Sequence, residues 1–529
     1  MSVDDTATAG HERLLWALMH GVALPGPPAG RTLVRTHISS LVLSGACAYK
    51  LRRPVRLPFL DFSTPALRHA DCAEELRLNR RTAPQLYLDV LPVLGTVDDP
   101  HLGSSGDAAP QAIDWLLRMR RFDEADVLAN VAARGALTEA HVDALAAQVA
   151  AFHAALGPSP AGYGSAAIVQ RWLHETLAGL GESGAPRVAA LRAWCEGEFA
   201  RLAPAIDARR EHGFVREGHA DLHLANIVLV DGVPRPFDAV EFNAELRHVD
   251  IVHDIAFTFM DLARHGLPAL AWRFVGAWAE ATGDVEGLAL LRFFTVERAL
   301  VRARVALLRG DATALARDLG VAERLAAAPG GAPPLVLVSG LSGSGKSTVA
   351  QWLAQHIGGI RLRSDVERKR LQGLAATERP APAQVAALYG RAATERTYAR
   401  LAELARTLLA AGIPAVVDAA ALRRDERDAL HALASAPGAP FALVECDAPE
   451  QVLRERIARR QRDNADASDA DLAVLELQWR VREPLGPDES ARRLSTDCDR
   501  VTLHERCAAL AAALAPTASS PPSSSLPRH

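Results

Sequence analysis

Gly340-Leu341-Ser342-Gly343-Ser344-Gly345-Lys346-Ser347-Thr348 decides the fold of the C-terminal half. It satisfies G-x-x-x-x-G-K-[ST]. An apolar run, Leu335 to Val338, precedes it, and a helical pattern, Val349 to Ile357, follows. That strand–loop–helix setting is the one in which the motif holds a polyphosphate. Gly340, Gly343 and Gly345 let the backbone bend its N–H groups around phosphate oxygens, with Ser344 between them and the positive end of a helix behind. Lys346 has the reach for the β- and γ-phosphates. Ser347 has the hydroxyl for Mg²⁺, and Thr348 continues the helix start. These residues predict an ATP and Mg²⁺ site.

Composition sets the frame around this stretch. A chain of 529 residues argues for more than one domain. Apolar residues at 49% and charged residues at 23% mark a globular protein with ample core. The net charge of −4 and the absence of an aromatic-basic stripe argue against nucleic acid as a partner, a polynucleotide end as phosphate acceptor excepted. No apolar run reaches membrane-spanning length, and Met1-Ser2-Val3-Asp4-Asp5 lacks a signal-peptide core. Six scattered cysteines without a C-x-x-C pair suit a reducing cytoplasm. No obligate protein partner is evident.

Of 59 basic residues only Lys50, Lys346 and Lys369 are lysine. Where arginine serves nearly every generic positive charge, a lysine marks a place that wants a compact point charge, as a phosphate site does.

Upstream, His219-Ala220-Asp221-Leu222-His223-Leu224-Ala225-Asn226 gives H-x-D-x-x-x-x-N. A strand-like Ile227–Val230, a turn at Asp231-Gly232 and then Asp238 follow. This is the order of a kinase catalytic loop and its metal-binding aspartate. Asp221 is then the base for the attacking hydroxyl, with Asn226 and Asp238 as Mg²⁺ ligands. Lys50, on an early strand, supplies the α/β-phosphate contact. Glu75 on the next helix is its ion-pair partner, preferred over Glu74. The region 30–122 reads as a small antiparallel sheet with one helix on it: strands Val34–Leu43, Ala48–Leu57, Leu86–Leu94 and Ala112–Met119, and a helix from about Arg68 to Ala83. His153, near the end of a helical run, reads as a core or capping residue.

With these residues in view, the chain resembles the bacterial family called bifunctional aminoglycoside phosphotransferase/ATP-binding proteins. The likeness is carried by Thr36-His37-Ile38-Ser39, Tyr49-Lys50, Phe59-Leu60-Asp61-Phe62, Glu75-Leu76, Leu78-Asn79-Arg80-Arg81, the 219–241 block and the phosphate loop. It implies an α+β protein-kinase-like bilobal domain followed by an α/β P-loop domain with a parallel sheet. It also implies that Asp254 supports the catalytic loop. Three features depart from aminoglycoside kinases. Ala220 stands where they usually carry glycine. No G-x-G-x-x-G loop lies near Ser44-Gly45. Their acidic, aminoglycoside-binding C-terminal end has no clear counterpart, so the family name does not argue for an antibiotic substrate.

In the C-terminal half, Ile360–Arg363 reads as a strand ending at Ser364-Asp365-Val366-Glu367-Arg368-Lys369. Its D-x-x-R resembles polynucleotide-kinase-like and zeta-toxin-like P-loop kinases. That likeness makes Asp365 the base for an acceptor hydroxyl and Arg368 a substrate contact; Asp365 can also cap a helix, and the two roles are compatible. Lys369 either assists or is exposed. Ile413–Val417 is a strand ending in Asp418, placed to orient Mg²⁺ through water. Arg456 and Arg460, one helical turn apart with Arg459 adjacent, resemble the lid arginines of small kinases; the alternative is a solvated basic face. Ser468-Asp469-Ala470 and Gln478 resemble gluconate-kinase-like sequences.

The expected organisation is a kinase-like domain at 1–325, a Pro/Gly-rich linker at 326–334, a P-loop domain at 335–515 and a Pro/Ser-rich disordered tail at 516–529. The expected activity is transfer of the γ-phosphoryl of Mg-ATP to hydroxyls of small molecules, from two nucleotide sites. In the second reading one domain catalyses and the other is a nucleotide-binding sensor or scaffold.

Overall fold

In the computed structural model the described residues are 5–57, 60–105, 111–181, 185–327, 331–380, 387–435, 439–463 and 467–514. The predicted tail 516–529 and residues 328–330 of the predicted linker lie outside them. They gather into two compact units, Met1–Ser183 with Cys195–Asp261, and Gly184–Trp194 with Leu262–His529.

The first unit is built on an antiparallel sheet. Its strands are β1 (Thr32–Arg35), β2 (Ser39–Ser44), β3 (Cys47–Arg52), β4 (Tyr87–Gly95), β5 (Pro100–Leu102) and β6 (Asp114–Arg120), in the order β1-β2-β3-β6-β4-β5. The run Val34–Leu43, expected as one strand, is two. The chain folds back between Arg35 and Ser39, where Thr36 donates its backbone N–H and its hydroxyl to Ser39 O. The strand expected to reach Leu57 stops at Arg52, two residues before Pro54, whose ring has no N–H for a ladder.

Side-chain alternation gives β3 two faces. Tyr49 and Leu51 point to a core shared with Leu14, Leu15 and Leu18 of helix α1 (Asp5–His20). Lys50 and Arg52 point the other way, to helix α2 (Pro65–Asn79). The sheet therefore carries a helix on each face, not the single one expected. The α2 helix starts earlier than the sequence suggested because Thr64 accepts from Leu67 N and Pro65 sits in the first turn.

Further along come helix α3 (Glu139–Ala155), the hairpin β7 (Ile227–Val230) and β8 (Val233–Pro236), and helix α4 (Ile251–Arg264). The architecture is kinase-like: a sheet bearing lysine, a helix bearing glutamate, and a loop and hairpin bearing the acids.

The second unit contains helices α5 (Pro268–Thr282), α6 (Leu291–Leu308) and α7 (Ala312–Ala326). It also contains a five-stranded, fully parallel sheet of β9 (Leu335–Ser339), β10 (Ile360–Arg363), β11 (Ala415–Asp418), β12 (Phe441–Asp447) and β13 (Arg492–Ser495), ordered β10-β11-β9-β12-β13. Every residue of β9 and β11 is buried, as expected of central parallel strands covered on both faces. Val336, Val338, Val416 and Val444 form one core with Val349, Leu353 and Ala354 of helix α8 (Lys346–Ile357) and with Leu503 and Cys507. This is the α/β P-loop fold. No described helix is long and apolar enough to cross a membrane.

Candidate functional sites

In the first unit, Lys50 Nζ donates to Glu75 Oε1 at 2.8 Å and to Asp238 Oδ1 at 3.3 Å. Glu74, its neighbour, turns instead to Arg77 and Arg247. Burial works against the Lys50 charge, but Asp238 and Glu75 outweigh it and hold the ammonium above its ordinary pKa. Asp238 is pulled below the usual carboxylate range, with burial opposing and Lys50 prevailing. Its backbone, at φ +61°, is fixed by Tyr87 Oη, which accepts from Asp238 N at 3.1 Å, while Asn79 Oδ1 accepts from Ala239 N.

The residues of the H-x-D-x-x-x-x-N stretch are also within reach of one another. Asn226 Nδ2 donates to Asp221 Oδ2 at 2.8 Å and to Asp221 O at 3.0 Å. Beneath them, Asp254, Thr258 and Asp261 of α4 form a stripe at spacings of four and three. Asp254 accepts from His219 N and Ala220 N at 2.9 and 2.7 Å, Thr258 donates to Leu222 O at 2.6 Å, and Asp261 accepts from Leu224 N at 2.9 Å. Three side chains of one helix face thus pin the backbone of 219–224 through four hydrogen bonds. His153 is a core residue whose Nε2 lies 3.1 Å from Asp254 Oδ2. Burial opposes charge on Asp254, yet His153 and His219 hold it ionised far below the usual range. Ala220 sits at φ +66°, the left-handed region that favours the glycine of aminoglycoside kinases.

Sequence reasoning missed Arg52 and Glu241. Arg52, fully buried, pairs with Asp71, Glu75 and Glu241. The three carboxylates bring oxygens within 4.8 Å of one another, but the guanidinium bonded to all of them makes this an ion-pair cluster and not a metal cage. The only advance signal was the i, i+2 spacing of Lys50 and Arg52 on one strand face.

In the second unit the phosphate loop joins β9 to α8. Gly343 and Gly345 both have φ +80°. A Cβ on Gly343 would lie 2.7 Å from Leu453 O, and one on Gly345 3.1 Å from Thr496 Oγ1, so the loop is tight as well as left-handed. Ser342 N donates to Gln478 Oε1 at 2.8 Å, which gives Gln478 a structural task at the loop. A cavity of about 550 Å³ is lined by Gly343, Gly345, Lys346, Ser347 and Thr348 on one side and by Arg456, Arg459 and Arg460 of helix α11 (Glu450–Asp463) with Thr496 and Arg500 on the other. Arg456 grips the loop, donating to Gly343 O at 3.2 Å and to Thr496 Oγ1 and O at 2.8 Å each. Arg460 donates to Ala470 O at 2.7 Å.

Asp418 ends β11, register-paired with Val338 on one side and Arg363 on the other. It stands at the carboxyl ends of the strands, where ligands of open α/β sheets bind. Its Oδ2 and Ser344 Oγ are both buried without a hydrogen-bond partner. Two orphaned oxygens beside a glycine cradle, a lysine and a helix N-terminus fit a magnesium nucleotide.

Asp365 lies in the first turn of α9 (Ser364–Arg370), but Arg363 is the N-cap residue, so Asp365 does not cap that helix. The Tyr389 hydroxyl is pushed up by burial and by the nearby charges of Asp365 and Asp469. Arg368 is buried, its guanidinium 5.2 Å from the Tyr389 ring centre, and its Nη1 donates at 3.2 Å to Thr394 Oγ1 of helix α10 (Arg391–Ala410). Lys369 is not exposed: it is 1% accessible and donates to Asp469 Oδ1 at 3.0 Å. Asp469 also accepts from Arg379 and from Tyr389 Oη.

A family model described as an AAA domain matches residues 335–485. The uncharacterized protein Rv2004c of Mycobacterium tuberculosis is 32% identical over 467 residues, covering 84% of this chain and 90% of the relative. This chain belongs to the same family. The match extends well beyond the P-loop half, so family members share sequence from both halves. Among solved structures, a sugar kinase from Janibacter sp. HTCC2649 is similar at 24% identity over 36% of this chain and 99% of its own, with a TM-score of 0.28. The GDP and kanamycin complex of APH(2")-IIia is similar at 12% identity over 59% of this chain and 98% of its own, with a TM-score of 0.38.

Proposed function

We propose that the protein is an ATP-dependent phosphotransferase with two nucleotide sites, each passing the γ-phosphoryl of Mg-ATP to an alcohol group of a small molecule. In this reading the kinase-like domain at 1–325 and the P-loop domain at 335–515 each carry one site, as in the bifunctional aminoglycoside phosphotransferase/ATP-binding family, and the protein works in the cytoplasm. The observation that carries it is the Lys50–Glu75–Asp238 and Asp221–Asn226 constellation in a chain that also holds a complete phosphate loop.

In the first site, Asp221 takes the proton from the acceptor hydroxyl as its oxygen forms the new O–P bond and the bond to the ADP oxygen breaks. Lys50 holds the phosphates, with Glu75 fixing its position. Asn226 and Asp238 would hold Mg²⁺. In the second site, Lys346 and the loop N–H groups hold the polyphosphate, and Ser347 and Asp418 would hold Mg²⁺. Asp365 is the base, and Arg456 and Arg460 offset the charge that builds on the transferring group. Bound Mg²⁺ supplies charge neutralisation of the phosphate oxygens in both.

ADP release is measured against sugars, sugar acids, nucleosides, aminoglycosides and polynucleotide 5′ ends. Asp221→Ala is expected to lower one substrate-dependent activity by about 10²–10⁴-fold while leaving nucleotide binding in place. Lys346→Ala is expected to abolish the other. Activity lost in only one variant supports the second reading, a sensor or scaffold role for the other domain. What favours that reading is the short turn Gly45–Ala46 between β2 and β3, which offers one glycine where a phosphate-covering loop would have several. If both variants keep wild-type turnover with every acceptor, both assignments fail.

A further inference from the structure

Glu280, on α5, stands 66 residues upstream of Lys346 in sequence (346 − 280) yet meets the P-loop fold directly. Its Oε2 accepts from Arg361 Nη2 at 2.8 Å and its Oε1 from Arg363 Nη1 at 3.2 Å. The two arginines are i and i+2 on β10 and so share a face, and one carboxylate bridges their guanidiniums. Each arginine also touches the nucleotide machinery. Arg361 Nη1 donates to the carbonyl of Ser347 at 3.3 Å, and Arg363 Nε lies 3.8 Å from Asp418 Oδ2. That carboxylate oxygen is the buried one that accepts no hydrogen bond.

The helix carrying Glu280 is docked independently of this carboxylate. Trp272 Nε1 lies 3.2 Å from where a Cβ on Gly358 would stand, Arg273 donates to Gln355 at 3.2 Å, and Arg370 donates to Glu280 O. A carboxylate needed only to dock α5 has no reason to divide its two oxygens between the neighbours of Ser347 and Asp418.

We infer that Glu280 is a positioning residue of the P-loop site: it holds Arg363 Nη1 away from Asp418, so that the Asp418 carboxylate stays available to the magnesium nucleotide. This rests on the nucleotide reading of that site. Arg363 and Asp418 are register partners on adjacent strands, and the guanidinium already borders the carboxylate through Nε. With Glu280 removed, Arg363 Nη1 loses the carboxylate that holds it, and the Asp418 carboxylate already lies beside the same guanidinium. A direct Arg363–Asp418 pair would compete with the metal for the same oxygen. Arg361, freed at the same time, would loosen its hold on the Ser347 carbonyl.

The test is binding of a non-hydrolysable ATP analogue to the full chain across a MgCl₂ series, taking the part of the signal lost in Lys346→Ala as the P-loop component. Glu280→Gln and Glu280→Ala are each expected to raise the MgCl₂ concentration for half-maximal binding about fivefold, the scale of a partly buried ion pair. Glu280→Ala combined with Arg363→Ala is expected to return it to the wild-type value, because the competing guanidinium is gone. Trp272→Ala, which weakens only the docking of α5, is expected to lower Tm without moving the MgCl₂ midpoint. The inference is overturned if Glu280→Ala lowers Tm with the midpoint unmoved, or if the double variant stays as impaired as the single one. Should Glu280→Ala not fold, the isosteric Glu280→Gln decides alone. If Lys346→Ala leaves all analogue binding in place while Glu280 is intact, the nucleotide reading itself fails, and the role of Glu280 falls with it.

Discussion

At the scale of single residues, the Arg52 cluster holds more acid than it can neutralise. Burial pushes the Glu241 carboxyl up to about 7 and that of Asp71 to about 6. Arg52 pulls both down, and the neighbouring Glu75 adds to the rise. A carboxyl whose folded pKa exceeds its ordinary 4.5 binds more protons folded than unfolded between those values. Its stabilising contribution is therefore complete below about pH 4.5 and is lost as pH rises through about 7. Glu241→Gln fixes the side chain neutral. Its stability relative to wild type is expected to climb between pH 5 and pH 8, by up to about 3 kcal/mol. Urea denaturation at several pH values measures this. A variant that loses ground at pH 8 would show that Arg52 stabilises the ionised form. The cluster was illegible in the sequence for a physical reason. Asp221 and Asn226 are five residues apart, and local spacing suffices to pair them. Arg52, Asp71 and Glu241 are gathered by the packing of a strand, a helix and a loop, which no spacing rule encodes. The lysines were easier to see, because their scarcity drew attention to Lys50 and Lys346, although Lys369 turns out to be an internal ion-pair partner of Asp469.

Elements, more than residues, shape the cavity at the phosphate loop, and the loop packs tightly against α11. A side chain at Gly343 would need a left-handed backbone and would meet Leu453 O at 2.7 Å and Leu453 Cα at 3.1 Å. Neither can move without shifting the helix that carries Arg456, Arg459 and Arg460. Gly343→Ala is expected to weaken binding of the ATP analogue at the P-loop site at least about tenfold, while the unfolding free energy falls by only about 1–3 kcal/mol. Calorimetric titration paired with denaturation separates the two. Wild-type binding in this variant would mean that α11 is free to move and does not form the wall of the site. Long apolar elements were legible at this scale. The buried runs of β9 and β11 and the amphipathic helix after the loop follow from hydropathy alone. Breaks within a run were not: Val34 to Leu43 keeps a strand-like composition across a reversal at Thr36–Ile38, since alternation does not register a change of direction. The stripe of Asp254, Thr258 and Asp261 shows its helical spacing in the sequence, but only the fold shows that a backbone loop lies against it.

The whole molecule divides differently by packing than by composition. The Pro/Gly-rich stretch at 326–334 is the clearest break in the sequence, because composition reports where the chain is locally unable to form an element. Packing reports which surfaces are buried together, and by that measure the segment from Leu262 onward groups with the P-loop fold. Two of its contacts explain why: Trp272 against Gly358, and Glu280 against Arg361 and Arg363. A P-loop piece begun after the linker, 331–514, would leave these arginines facing each other without their carboxylate and would expose the α8 surface that α5 covers. A piece spanning 262–514 keeps both. The longer piece is therefore expected to melt higher, by on the order of 5–10 °C, and to bind the ATP analogue more tightly at low Mg²⁺. Calorimetry and titration on the two purified pieces decide it. Equal Tm and equal affinity would make α5 to α7 passengers on the P-loop fold and move the functional boundary back to the linker. A higher Tm for the longer piece with unchanged Mg²⁺ dependence would keep these helices as structural support but remove Glu280 from the workings of the site. Only a rise in both ties the segment before the linker to the chemistry after it.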